Sequence, residues 1–440
     1  MRRKPKIGIV NLCHEDYIDE EVRRLGSEAV SALQARGADI VTAQPIGSAK
    51  QALDVGINMC AEDLDGIVLF LGSWIECATA MAFLREIEHL PLCLWGVPMF
   101  ERDGRLESTG SYVSFAMFRG SMARAGYRFL PVLGEILETA DSVFDFCVAA
   151  MTKTALRRTR IGLVGYTSMS IYPGTFDHLL VRKMIGPEIH HIDNYTLINI
   201  AERAAQTDIA ESEALLRSRS AIDKEVSQAF LTKASRLLYA LRTVCRQYSL
   251  NAINVKCQYE LSKEYKMTAC VPLSALAELG VVSSCEGDML NTISMTVLAL
   301  LTGQVVTYGD AINHIGNVVK FSSCGFAPFS LADGDPVVRN FMPHPGFTGI
   351  QTSFTLKPGR VTVLRLVEDV GDYHMLYFTG EGLPSELRQG VMPALDVRLD
   401  GDIGRLVSEY SGQHFALCYG DCSAKIECLC TMLGIRAVRV

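Results

Sequence analysis

Two acids in one stretch of the chain, Glu286 and Asp310 in SSCEGDMLNTISMTVLALLTGQVVTYGD (283–310), have a type and spacing that could do chemistry. A strand pattern ends at Glu286, and a Gly-Asp turn leads into a helix whose apolar Ile293, Met295, Val297, Leu298, Leu300 and Leu301 predict burial. Gly303 supplies the helix stop, and a second strand over 305–308 runs on to Asp310. Carboxylates at the C-terminal ends of neighbouring strands lie where open α/β sheets hold ligands, although 24 residues separate these two. Such a pair binds a cation, shuttles protons, or does both. The structural alternative is that Glu286 caps the helix and Asp310 starts a turn. His414, in the loop-to-strand segment SGQHFALCYGDC, offers an imidazole, although a lone histidine is more often a structural hydrogen-bonding group.

The elements that must position these groups read as α/β. Strand patterns at 6–11 (KIGIVN), 39–43, 66–71 (GIVLFL) and 91–96 alternate with helical stretches at 19–36, 51–61 and 77–88. That alternation implies right-handed βαβ units and a parallel sheet. After a charged break, KTALRRTR (153–160), the pattern restarts with strands at 161–165, 189–192, 252–255 and 281–284 around a long polar helical region, 208–248. Beyond APFSLADGD (327–335) the chain turns β-rich, with strands at 349–356, 360–367 and 374–381 and no long helix before 422–433. The expected fold is two doubly wound, Rossmann-like α/β domains, 1–155 and 156–328, followed by a β-rich C-terminal domain, 329–440. GLVGYTSM (162–169) has two of the three glycines of a dinucleotide fingerprint, so it reads as a tight strand-to-helix turn before it reads as a NAD site.

The 440 residues exceed what one core serves, and 49% apolar with 21% charged residues exclude global disorder. A net charge of −7 without a long basic stripe argues against nucleic acid or an anionic membrane as partner. No apolar run approaches the roughly 20 residues of a membrane span, and the basic start MRRKPKIGIVNLC lacks a signal-peptide core. The protein is therefore expected to be cytoplasmic, with its 14 cysteines reduced. Cys418, Cys422, Cys428 and Cys430 cluster, but their spacing does not match two zinc knuckles.

Taken together, these segments resemble the L-fucose/L-arabinose isomerase family, closest to its fucose isomerase branch. The run from Glu286 to Asp310, with its acid-x-Asp start and Leu-Thr-Gly helix end, is similar to that branch's metal segment. Asn251-Ala-Ile with Gln258, IGLVGYTSMSIYPGTFDH (161–178), KPGRVTVLRL (357–366) and GQHFALCYGD (412–421) resemble further family segments in the same order. The resemblance implies that Glu286, Asp310 and His414 bind a divalent metal, with two oxygen donors and an imidazole suiting Mn²⁺, and that both acids are also catalytic.

It implies sugar contacts from Gln258 and Gln413, and stacking by Trp74 (LGSWIECATAM) on a sugar in a neighbouring subunit. His14 stands where the family places an arginine, and Lys256 is a sugar contact or a salt-bridged strand residue. A homo-oligomer, hexameric by resemblance, with sites between subunits follows. The arabinose branch carries a second ligand histidine where this chain has Ser322, Ser323 and Cys324, which favours the fucose-like set; His314 is the nearest histidine. The implied function is Mn²⁺-dependent interconversion of an aldose and its ketose through an enediol(ate). The alternatives are an isomerase of an anionic hexose such as sulfoquinovose, with His14, Lys256 or Arg119 as cationic contacts, and a non-catalytic sugar-binding or regulatory protein.

Overall fold

The computed structural model describes residues 3–440, so Met1 and Arg2 of the basic start lie outside the described residues. The chain divides into two compact units: the residues up to Ala155 with Ala424–Ile435, and Leu156–Ser423 with Arg436–Val440.

The first unit is built on a parallel sheet of order β2-β1-β3-β4-β5, with β1 Lys6–Leu12, β2 Asp39–Thr42, β3 Gly66–Leu71, β4 Leu92–Gly96 and β5 Phe129–Leu133. β3 (GIVLFL) and β4 (LCLWG) are buried along their whole length, which is why they read as unbroken apolar runs. The helix Glu20–Ala35 begins where the Asp19 side chain accepts a hydrogen bond from the Val22 N–H. The helix Ser423–Leu433 belongs mostly to this unit, tied by a 2.8 Å ion pair between Lys425 and Asp145.

The second unit opens with a four-stranded parallel sheet of order β9-β8-β6-β7, from β6 Arg160–Val164, β7 Glu188–Ile192, β8 Ala252–Val255 and β9 Val282–Cys285. The helical region expected over 208–248 comprises two helices, Gln206–Arg219 and Gln228–Tyr248. Ala221 and Ile222 turn extended to pair with Val337 and Val338, and Ser227 then caps the second helix. After β6 the chain makes short 3-10 turns, Ser168–Ser170 and Tyr172–Gly174, where the sequence suggested a helix.

Most of the remainder is a barrel-like sheet, antiparallel except for Arg436–Arg439, which pairs parallel along one edge. β10 Thr307–Ile315, β11 Val318–Ser322, β12 Gly359–Asp369, β13 Asp372–Leu383, β14 Ala394–Leu399 and β15 His414–Tyr419 run in the order β12-β15-β10-β11-β14-β13, and β12 pairs back onto β13. The strand expected at 305–308 is thus longer, ends at the Gly316 turn (φ +54°), and belongs to the barrel. Asp310 sits inside it, not at the end of a parallel neighbour of β9.

Candidate metal and substrate centre

Glu286 follows β9 directly, with φ +72°, a left-handed conformation that a non-glycine residue rarely adopts. Its N–H donates to Val255 O at 3.2 Å and its carbonyl accepts from Ser168 N at 2.8 Å. Gly287 comes next at φ +73°, packed so close to the Tyr166 carbonyl that a Cβ would collide with it. Asn254, buried in β8, accepts from Gly287 N at 2.7 Å. Its amide also reaches Ser284 Oγ, Cys285 O, Asp288 O and Thr292 Oγ1 at 2.9–3.2 Å, so one side chain locks the turn from β9 into the helix Met289–Thr302.

Asp288 caps that helix, its Oδ1 accepting from Asn291 N at 2.9 Å. Its Oδ2 accepts from Arg365 Nη1 at 3.0 Å and from His414 Nδ1 at 2.9 Å. Arg365, fully buried in β12, also donates to the carbonyls of His414 (2.7 Å) and Pro173 (2.9 Å). Burial would raise the Asp288 pKa, but Arg365 and His414 outweigh it and hold the carboxyl at about 2. With Nδ1 given to Asp288, the other nitrogen of His414 is free to face the acids.

It does so. His414 Nε2 lies 3.4 Å from Glu286 Oε2 and 3.3 Å from Asp310 Oδ1, and is buried without a hydrogen-bond partner. Tyr308 packs edge-on against the imidazole at 5.3 Å, and its hydroxyl meets Cys285 Sγ at 2.9 Å. Burial opposes a charge on His414, yet Asp288, Glu286 and Asp310 raise its pKa well above the usual value. Glu286 is lowered: burial works against it, but His414 and the Cys324 thiol prevail. Asp310, with 24% of its side chain exposed, is raised to about 6: burial and the neighbouring charges of Glu286 and Asp288 raise it and outweigh the lowering by His414.

Among the described residues no group of three or more His, Cys, Asp and Glu side chains is placed so that it could hold a metal ion as it stands. The separations around His414 Nε2 nevertheless suit adjacent donors of a six-coordinate ion, which stand about 3 Å apart when bonds are about 2.1 Å. An orphaned imidazole nitrogen between two carboxylate oxygens is a donor set that a hard to borderline divalent ion satisfies.

The structure places the other expected residues as follows. Gln258 is buried, and its Oε1 has no partner. Lys256 is fully buried, ion-paired with Glu260 and lying 4.0 Å over the Tyr166 ring, so its ammonium is already engaged. Gln413 precedes β15, and its carbonyl accepts from Ala311 N at 2.9 Å. Trp74 and His14 belong to the first unit, where their rings stand 5.4 Å apart and His14 N donates to Trp74 O at 2.8 Å. Trp74 lines a cleft of about 410 Å³ with Tyr17, Phe100 and Arg102. Arg119 lies on the helix Ser111–Arg124 of the same unit, and His314 is exposed on β10. Cys418 and Cys422 approach to 3.8 Å, while Cys428 and Cys430 fall in the other unit. Asn254, Asp288 and Arg365 are not singled out by the sequence, and Cys324 is named there only as standing in place of a histidine; Asp288 has a signal, since it follows Glu286 by two positions and opens a buried helix.

No protein-family model matches the chain. It is 25% identical over 367 residues to a protein named sulfoquinovose isomerase from Alkalicoccus urumqiensis, covering 80% of this chain and 81% of that one. It is also 25% identical over 288 residues, 64% of either chain, to a protein of the same name from Priestia megaterium. A sugar isomerase family is supported. These names support an aldose–ketose sugar isomerase and a place in carbohydrate metabolism; neither is a fucose or arabinose isomerase name. A glucose-galactose binding protein from Geobacillus stearothermophilus aligns over 69% of this chain and 93% of its own at 10% identity, but with a TM-score of 0.20 it carries no argument.

Proposed function

We propose that this chain is a metal-dependent aldose–ketose isomerase whose substrate is an anionic hexose of the sulfoquinovose kind. The observation that supports the chemistry is the buried, unpartnered Nε2 of His414 between Glu286 and Asp310. The relatives' names support the substrate class.

Glu286, Asp310 and His414 would hold the ion, with Mn²⁺ suited to two oxygen donors and one imidazole. When bound, it supplies Lewis-acid polarisation of the sugar's C1 and C2 oxygens. The chain's own groups move the proton: one acid takes it from the carbon beside the carbonyl, the other protonates the developing enediol, and they exchange roles in reverse. Asp288 holds the His414 tautomer, and the free Gln258 Oε1 accepts a sugar hydroxyl. Because Lys256 is engaged by Glu260, we assign the contacts with the anionic substituent to Arg119 and His14 of a neighbouring copy in a homo-oligomer.

The test is a metal-stripped assay against sulfoquinovose, L-fucose, L-arabinose and other aldoses, with and without Mn²⁺, following the ketose by NMR in D₂O. Mn²⁺-restored turnover of sulfoquinovose supports the full reading. Turnover confined to a neutral aldose refutes the anionic substrate, and sugar binding without turnover or metal dependence refutes the enzyme.

A further inference from the structure

Glu286 is fixed at both ends of its residue but by different groups. Its backbone is pinned by Val255 and Ser168, and one carboxylate oxygen, Oε2, faces His414. The other, Oε1, accepts from the thiol of Cys324 at 3.4 Å. Cys324 arrives from the segment after β11, the strand in which Ser322 pairs with Asp310. The hydroxyls of its two neighbours are committed elsewhere: Ser322 Oγ donates to Pro393 O at 2.8 Å, and Ser323 Oγ donates to Phe326 O. In this run of three small polar residues only the thiol reaches the acid.

We infer that Cys324 is a positioning residue for Glu286, its S–H holding Oε1 so that Oε2 is presented to the space beside His414. A glutamate side chain has three rotatable bonds, and Oε2 alone does not fix the plane of its carboxylate. A thiol is a weak donor, so it orients the group while withdrawing little of the charge that a cation or proton needs. A hydroxyl can replace that geometry; a methyl cannot.

The inference rests on the reading of this centre as a metal site, and the experiment separates the two. Mn²⁺ is titrated into the full-length protein without sugar, and the free ion is read by electron paramagnetic resonance for wild type, C324S and C324A. Loss of an outer partner of a ligand costs about 10–100-fold in affinity, so C324A should bind Mn²⁺ about that much more weakly at an unchanged melting temperature. C324S, which keeps a donor, should stay within about threefold of wild type. Equal affinity in wild type and C324A overturns this inference alone, as does a C324S as weak as C324A. A wild type that binds no Mn²⁺ overturns the metal reading and this inference with it.

Discussion

Asp310 and His414 are direct cross-strand partners, paired residue to residue between antiparallel β10 and β15. Their side chains share one face of the barrel wall, and the Ala311 N–H to Gln413 carbonyl bond at 2.9 Å holds the register beside them. The distance between one acid and the imidazole is therefore set by a β ladder rather than by a mobile loop. Glu286 is brought to the same point by a strained turn after the parallel sheet.

If the two acids carry the proton, removing either charge should spare the fold and cost the rate. Glu286→Gln and Asp310→Asn should each lower kcat by about 10²–10⁴-fold, with unchanged circular dichroism. Full turnover in Glu286→Gln would end the assignment.

Asp288 serves a different purpose and should fail differently. Asp288→Ala leaves Arg365 buried without its carboxylate and His414 without its tautomer partner. Breaking a buried pair costs about 3–5 kcal/mol, so the chain should lose that much in denaturant unfolding as well as its metal affinity. Wild-type stability in Asp288→Ala would show that the Arg365 pair contributes nothing.

Gln258 carries a buried carbonyl oxygen with no partner. Gln258→Leu should leave the melting temperature unchanged or higher while kcat/KM falls by the equivalent of roughly 1–3 kcal/mol of transition-state binding. A stability loss with unaltered kinetics would make Gln258 a packing residue instead.

A pair of exposed histidines offers a separate readout. His178 and His191 meet at Nε2 with 2.7 Å between them, and burial, then the charge of His178, lower the His191 pKa below the ordinary 6.5. A histidine lowered on folding contributes stability that is present above 6.5 and lost as pH falls through its folded value. His191 should titrate below 6.5 by NMR, and His178→Gln should move its midpoint upward; an unmoved midpoint would disprove the coupling.

Much of this was legible in the chain because buried parallel strands are apolar runs that need no partner to be recognised. GIVLFL became β3 with the expected ends, and AINV became β8. The family resemblance named Glu286, Asp310 and His414, and the structure brings those three together. The strand of Asp310 was misplaced because its first residues look alike in a parallel and an antiparallel sheet; only the Gly316 turn distinguishes them. Arg365 and Cys324 were hidden for another reason. Arg365 reaches Asp288 across 77 positions and Cys324 reaches Glu286 across 38, distances at which residue type alone predicts no contact.

The cross-strand pairing of Asp310 with His414 also dictates an order of assembly. His414 and Asp288 meet across 126 residues of chain, so loop closure on that scale must precede their contact. A slip of one residue between β10 and β15 would turn Asp310 to the opposite face of the wall and leave the imidazole without its second acid. A cation held there, as proposed, would not nucleate this protein as zinc does a finger; it would reward only a barrel already closed in the correct register, a late inspector of folding.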